Sequence, residues 1–267
     1  MSLNEPVFNK TIYEKLLVSR RFGEKLVLLD KTGSTNSWIA GRLDDLDIDK
    51  LTVVAETQTE GRGRFGRRWF SPPGVNLAFS LAWRAPETFK LLNLVTMTAG
   101  IALAEAVADV TEAEPKLKYP NDLILAGKKA GGILSEFKKT GTGSYIVIGA
   151  GVNVNTEQDS FPDEIRDTAT SILLACGKTV CREALLAIFM NMLEKWISTL
   201  TTRGAGPVLE RFYQFSIPFV GRGVTVTIEG ETVKGSVAGL SDIGELMIET
   251  SPGVIKKINS GETVFER

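Results

Sequence analysis

The spacing of hydrophobic residues changes several times along this chain, and each change predicts a different element. Residues 9–22 carry Ile12, Leu16 and Leu17 at helical spacing, which predicts a short helix. Residues 25–29 predict a strand, followed by a polar turn from Asp30 to Asn36. Ser34 or Thr35 in that turn is placed to cap a helix running through Leu43. Residues 51–56 are strand-like, and residues 57–74 form a long polar loop rich in Gly and Arg. Residues 75–83 then alternate without a break: Val75, Leu77, Phe79, Leu81 and Trp83 share one face, and Asn76, Ala78, Ser80 and Ala82 the other. The large face is suited to a core. The small face leaves room for a closely packed helix or for a ligand laid on the sheet.

Residues 86–110 are apolar nearly all round, which predicts a buried helix. Short strands at 116–119 and 123–125 bracket Pro120, Asn121 and Asp122, and strands at 130–137 and 145–154 flank a Thr-Gly-Thr-Gly turn. Residues 164–215 read as helices, with Leu185, Leu186, Phe189, Met192, Leu193 and Trp196 at 3–4 spacing. After Pro218 the pattern turns to short strands at 224–228, 232–237, 245–248 and 254–258, separated by Gly-containing turns. That change predicts a small barrel over residues 218–267, after a larger unit over residues 1–217 whose first 24 residues are an extension.

Composition narrows the chemistry. Lys plus Arg is 31 and Asp plus Glu is 32, so a net charge of −1 argues against binding nucleic acid or membrane through bulk charge. The chain has no histidine, which removes His-dependent triads, His-ligated metals and imidazole acid–base chemistry. Cys176 and Cys181 read as small apolar residues of a reduced, cytoplasmic protein. No signal peptide is expected from the first ten residues, and charges interrupt each apolar stretch before 18 residues, so no membrane span is expected.

The polar loop contains Gly61-Arg62-Gly63-Arg64-Phe65-Gly66, which satisfies G-x-G-x-x-G after a strand. A dinucleotide fold would need a helix to open here, and Pro72, Pro73 and Gly74 forbid it. What remains is a mobile loop carrying Arg62, Arg64, Arg67 and Arg68, whose guanidinium forks match phosphate oxygens. Trp69 adds a face for a purine. A solvated basic loop and a clamp for single-stranded nucleic acid use the same residues. Acids just before the loop, Asp44, Asp45, Asp47 and Asp49, balance its charge. Farther on, Asn121 and Asp122 can orient a ribose, hold Mg²⁺ or accept a proton, and Lys129 can reach back to them along an adjoining strand. The plainer alternative is an ordinary turn with Lys128 and Lys129 in solvent.

Together these segments resemble biotin protein ligases. The resemblance is carried by Gly33-Ser34-Thr35-Asn36, the run from Gln58 through Trp69, Lys118-Tyr119-Pro120-Asn121-Asp122, Lys129-Ala130-Gly131-Gly132-Ile133-Leu134 and Gly149-Ala150-Gly151-Val152-Asn153. It implies an α+β fold: a class II synthetase-like mixed sheet with helices packed on it, plus a small C-terminal SH3-like β-barrel. It implies that biotin and MgATP give biotinyl-5′-AMP, and that a lysine of a biotin carboxyl carrier domain then takes the biotin. It places Ser34, Thr35, Asn36 and Gln58 at the biotin head group, with Arg62, Gly63 and Arg64 closing over biotin and its acyl phosphate. Gly132, Gly149 and Gly151 would leave room for the ligand. Arg64, Arg67, Trp69, Asn121, Asp122 and Asn153 would meet the nucleotide, and Lys129 the biotin carboxylate and α-phosphate. Arg64, Lys129 and Asp122 are the catalytic candidates, and no Mg²⁺ ligand set is implied.

Two positions depart from the family pattern: Tyr119, where Trp is frequent, and Ala130, where a larger residue is frequent. The short segment before the first strand leads us to expect no DNA-binding domain. A homodimer through a sheet edge is compatible with the resemblance. A lipoate-type ligase shares the adenylate logic, and a nucleic-acid-binding module is the remaining alternative. The missing histidine is no obstacle to adenylation, because an alkyl carboxylate is already ionised at neutral pH. Transfer does need a neutral amine, and Asp122 is the candidate to accept its proton.

Overall fold

The computed structural model describes residues 7–45, 48–85, 92–228 and 230–266. In chain order the elements are α1 (Lys10–Leu16), β1 (Leu26–Thr32), α2 (Thr35–Ala40), β2 (Thr52–Gln58), β3 (Leu77–Arg84), α3 (Leu92–Val110), β4 (Lys116–Lys118), β5 (Asp122–Leu125), β6 (Lys128–Thr140) and β7 (Gly143–Val152). Then follow α4 (Asp163–Arg166), α5 (Ile172–Cys176), α6 (Arg182–Arg203), α7 (Gly206–Phe215), β8 (Gly223–Ile228), β9 (Glu231–Leu240), β10 (Leu246–Ser251), β11 (Val254–Ile258) and β12 (Glu262–Phe265).

β1 to β7 form one mixed sheet in the order β1-β2-β3-β7-β6-β5-β4, parallel only between β1 and β2. The main core packs α3, α6 and α7 on one face, where Phe79, Leu81, Ile133 and Ile148 meet Met97, Ile101 and Phe189. A second, smaller cluster lies around α2, with Ile39, Leu43, Ile48 and Val53 over Ala82, Tyr145 and Val147. α2 is only 6 residues long and covers part of its face, so the neighbouring sheet surface is left to form a cavity. On the small face of β3 the close-packed helix is α2, and the chain's own side chains fill the space beside it. Ala82 lies in the cluster around α2, and Ser80 joins the polar residues at the helix start.

Several boundaries move for local reasons. Val75 and Asn76 precede β3, because the Asn76 side chain is tied instead to the Val154 N–H at 3.0 Å and the Thr156 hydroxyl at 2.7 Å. Ser34 is the N-cap of α2, but its side chain makes no capping bond. α1 and α2 end earlier than the periodicity predicts, and residues 164–215 break into four helices at Gly177, Gly204 and the loops between. Residues 86–91 of the predicted long helix, and Asp47, lie outside the described residues. α3 is long and apolar enough to cross a membrane by length and composition, with 67% of its apolar window buried inside the protein. Its apolar surface is thus spent on the core against β6, α6 and α7.

Residues 223–265 carry the expected short strands plus a fifth, β12, which the pattern did not reveal. They form an antiparallel sheet in the order β11-β10-β9-β8-β12. It packs on the larger unit through aromatic rings: Phe219 lies 5.8 Å from both Tyr119 and Tyr213 and 6.1 Å from Phe265. The Leu240 N–H donates to the Tyr213 hydroxyl oxygen at 2.8 Å across the same seam.

Candidate functional site

The uncovered part of the sheet is the floor of a cavity of about 300 Å³. Every site residue expected from the sequence lines it: Ser34, Thr35, Asn36, Gln58, Arg62, Gly63, Arg64, Arg67, Trp69, Asn121, Asp122, Lys129, Gly132, Gly149, Gly151 and Asn153.

One end is a polar network at the start of α2. The Thr35 N–H and hydroxyl both donate to Gln58 Oε1, at 2.8 and 3.1 Å. The Ser80 hydroxyl, fully buried, lies 2.7 Å from Thr35 Oγ1 and 2.6 Å from Asn36 Oδ1. Asn36 Nδ2 donates to the Leu134 carbonyl at 3.2 Å and to Glu136 Oε2 at 2.8 Å. Asn36 lies flat on the sheet because Gly149 has no side chain: a Cβ there would sit 2.0 Å from Asn36 Oδ1. Gly151, two residues on, seats Trp69 in the same way, with a Cβ 2.4 Å from the indole. The room above Gly149 and Gly151 is therefore filled by the chain's own side chains. Above Gly132 a Cβ would meet only ordinary contacts with Asp122 and Lys129. Two residues of strand set the polar end and the indole roughly 7 Å apart on one floor.

At the Trp69 end, Lys129 Nζ lies 2.6 Å from Asp122 Oδ1 and 5.8 Å from the centre of the Trp69 ring. The antiparallel pairing of β5 with β6 brings Asp122 opposite Gly132, so Lys129 does reach back as its position suggests. Trp69 Nε1 is buried over Gly151, with no hydrogen-bond partner among the described residues. The two asparagines serve the walls. Asn121 Nδ2 donates to the Ile133 carbonyl at 2.8 Å, and Asn153 Nδ2 to the Thr170 carbonyl at 3.0 Å. Asn153 is also buried, so its donors are committed to the backbone.

The arginine loop is a folded hairpin. Trp69 N–H donates to the Gly61 carbonyl at 2.8 Å, and Gly63 N–H to the Arg67 carbonyl at 2.7 Å. A single 3-10 turn at Arg64–Gly66 forms its tip, with Phe65 at φ 57, and no helix opens there. The four arginines part company. Arg62 donates to Ser37 Oγ at 2.9 Å and lies 3.7 Å from Glu136. Arg64 turns inward beside Tyr119 and Asp122, where burial lowers its pKa and the neighbouring Asp122 and Tyr119 oppose that. Arg67 pairs with Glu262 of β12, and Arg68 is exposed. The acids expected to balance the loop do other work: Asp44 accepts from Thr142 N–H and Asp49 from Arg84 N–H. Sequence reasoning did not assign Tyr119 and Glu262, which line the cavity, or Glu136 and Ser80, which hydrogen-bond residues that do. An acid on the same strand face as Gly132 and Leu134 was the available signal for Glu136.

Two family models match the chain: the biotin/lipoate A/B protein ligase family over residues 32–153, and the biotin protein ligase C-terminal domain over residues 219–265. The bifunctional ligase/repressor BirA of Escherichia coli is 30% identical over 262 residues, covering 98% of this chain and 79% of its own. The biotin–[acetyl-CoA-carboxylase] ligase of Mycobacterium tuberculosis is 29% identical over 271 residues, covering 99% of this chain and 98% of its own. Among solved structures, the biotin protein ligase of Aquifex aeolicus in complex with biotin and ATP superposes with a TM-score of 0.77 at 30% identity, over 92% of this chain and all of that one. Identity of this degree, spread across both sheets and nearly the whole length, makes the chain a member of the biotin protein ligase family.

Proposed function

We propose that the cavity adenylates biotin and that the chain then transfers it to a lysine of a biotin carboxyl carrier domain. The observation that carries this reading is the Lys129–Asp122 pair, 2.6 Å apart, beside Trp69 and two residues of strand from the polar end at Asn36. That end offers amides and hydroxyls in both donor and acceptor senses, which suits a ureido ring better than a dithiolane. Trp69 suits a purine, and Arg64 and Lys129 supply the positive charge between them.

In the first step a biotin carboxylate oxygen attacks the α-phosphorus of ATP, the bond to the β-phosphate oxygen breaks, and pyrophosphate leaves. The barrier is the approach of two anions, which positioning and fixed positive charge lower. No cluster of three acidic or cysteine side chains suited to a metal occurs among the described residues. Asp122 is engaged by Lys129, so Mg²⁺ fits as part of the MgATP substrate, held chiefly by phosphate oxygens. In the second step the carrier lysine amine attacks the anhydride carbonyl and AMP departs, with Asp122 taking the amine proton. The hairpin over the cavity keeps water from the anhydride.

Finer points rest on the same reading. The division at 217/218 follows the gap between α7 and β8. β1 is an outer strand with Leu28 part-exposed, which supports a homodimer through that edge. Two free cysteines agree with a reduced, cytoplasmic setting. Pyrophosphate exchange into ATP tests the central proposal: exchange with biotin, and none with lipoate or without a carboxylate, is the expected result. Equal exchange with lipoate, or none with biotin under Mg²⁺, overturns it.

A further inference from the structure

Glu136 lies outside every motif that points to the site, yet three of its elements meet at its carboxylate. Glu136 Oε2 accepts from Asn36 Nδ2 at 2.8 Å and lies 3.7 Å from the Arg62 guanidinium. Glu136 Oε1 lies 3.2 Å from Lys138 Nζ. Arg62 in turn donates to Ser37 on α2, the residue after Asn36. One side chain on β6 thereby joins the floor of the cavity, the start of α2 and the arginine hairpin. Arg62 stands at the base of that hairpin, directly between Gly61 and Gly63, whose backbone bonds close it. Whatever fixes Arg62 fixes where the whole hairpin lies. The Glu136 side chain is only 21% exposed. Burial pushes its pKa up, but the Asn36 hydrogen bond and the charges of Lys138 and Arg62 outweigh that and hold it below the usual carboxylate range. It is an anion at neutral pH.

We infer that Glu136 is a positioning residue: acting through Arg62, it sets the register of the residue 61–69 hairpin over the cavity, while it holds Asn36 on the floor. It stands behind the residues that line the cavity and not among them, and its effect on the reaction rests on the biotin-adenylating reading above. The tether itself does not rest on that reading, so the two are tested apart.

Glu136→Gln keeps an oxygen to accept from Asn36 and nearly the same volume, but removes the charge that faces Arg62. In the ligand-free full-length chain, trypsin should cut after Arg62, Arg64, Arg67 or Arg68 about fivefold faster in this variant, a factor typical of one half-exposed ion pair. Cleavage sites mapped by mass spectrometry should show no matching rise elsewhere. In biotin-dependent pyrophosphate exchange the variant should raise KM for biotin by a similar factor and change kcat less than about twofold. Arg62→Ala combined with Glu136→Gln should match Arg62→Ala alone, because the tether is already cut. Unchanged loop cleavage, a rise in cleavage spread over the whole chain, or an additive loss in the double variant each overturns the inference. If the parent chain shows no biotin-dependent exchange, the ligase reading falls while the cleavage experiment still decides the tether.

Discussion

Gly149→Ala carries the sharpest prediction, because one methyl group must displace one defined side chain. The added Cβ would lie 2.0 Å from Asn36 Oδ1 and 2.8 Å from Asn36 Cγ, so Asn36 has to leave the sheet. Leaving breaks its bonds to Ser80, Glu136 and the Leu134 carbonyl. Asn36 is 4% exposed and Ser80 fully buried, so water replaces little of this. Counting about 1 kcal/mol for each neutral bond and somewhat more for the charged one, less what the displaced amide regains in solvent, the loss is about 2–3 kcal/mol. For a chain of this size that is a fall of roughly 4–8 °C in melting midpoint. Biotin affinity should fall with it, because the polar end of the cavity loses its amide.

Asn36→Ala separates the clash from other effects of the glycine. On its own it should cost about 2 kcal/mol through the same lost bonds. With Asn36 truncated, Gly149→Ala should add less than about 0.5 kcal/mol, since its methyl then occupies vacated space. The expected coupling is therefore close to 2 kcal/mol. Urea unfolding of the four proteins measures the cycle, and biotin titration calorimetry follows the site. Additive losses would refute the claim that Gly149 is needed to seat Asn36.

Lys129→Ala leaves Asp122 without its cation and should weaken both biotin and the adenylate by about 30-fold or more, in line with a charged hydrogen bond; normal titration curves would contradict that. Arg64→Ala should slow adenylate formation by about a hundredfold and shorten the adenylate's lifetime in a single-turnover trap, and an unchanged lifetime would count against loop closure. Burial pushes the Tyr119 phenol up to about 12 against the pull of Arg64, from an unfolded value near 10. Its contribution to stability is therefore intact below pH 10 and lost as pH rises through about 12, and Tyr119→Phe should flatten that alkaline limb in a melting series. A limb unchanged by the substitution would mean that Tyr119 ionises freely in the folded protein.

The chain announces its strands and the residue types of its site better than it announces the contacts between them. Alternation at residues 75–83 gives one strand with unequal faces, and β3 is that strand. What the alternation cannot convey is that both faces are buried, because the cover on the small face is α2, a helix of six residues too short to show a period. The cavity residues cluster in short polar motifs, since a ligand site needs special residue types at close range, and such types stand out against an apolar pattern. Their acid partners do not stand out. Asn36 and Glu136 are 100 residues apart, and Arg67 and Glu262 are 195 apart. Only the sheet order and the docking of the second sheet bring them together. β12 escaped notice because four residues with mixed exposure carry too little period to be told from a loop.

A chain of net charge −1 can hold an anion site only if its cations are fixed by acids without being cancelled where the ligand sits. The arginine hairpin meets that condition by dividing labour. Arg62 and Arg67, at its two sides, are held by Glu136 and Glu262, and both pairs keep substantial solvent contact. Such pairs contribute little stability, about 0–1 kcal/mol each, but they fix where a flexible Gly-containing loop lies. Arg64, at the tip, has no carboxylate within ion-pair distance among the described residues and turns toward Asp122 and Tyr119 instead. Its charge is partly desolvated and only loosely opposed, which strengthens its pull on an incoming phosphate. Neutralising the tethers and neutralising Arg64 should accordingly fail in different ways. Loss of Glu136 should loosen the loop and raise KM, with the chemical step preserved once biotin saturates. Loss of Arg64 should leave the ligand-free loop in place, with trypsin sensitivity close to the parent's, but lower kcat and weaken the loop's hold on the bound adenylate. If both substitutions instead raised KM alike and left kcat untouched, the division between anchoring and reacting arginines would be wrong, and the hairpin would act on the ligand only as a collective positive field.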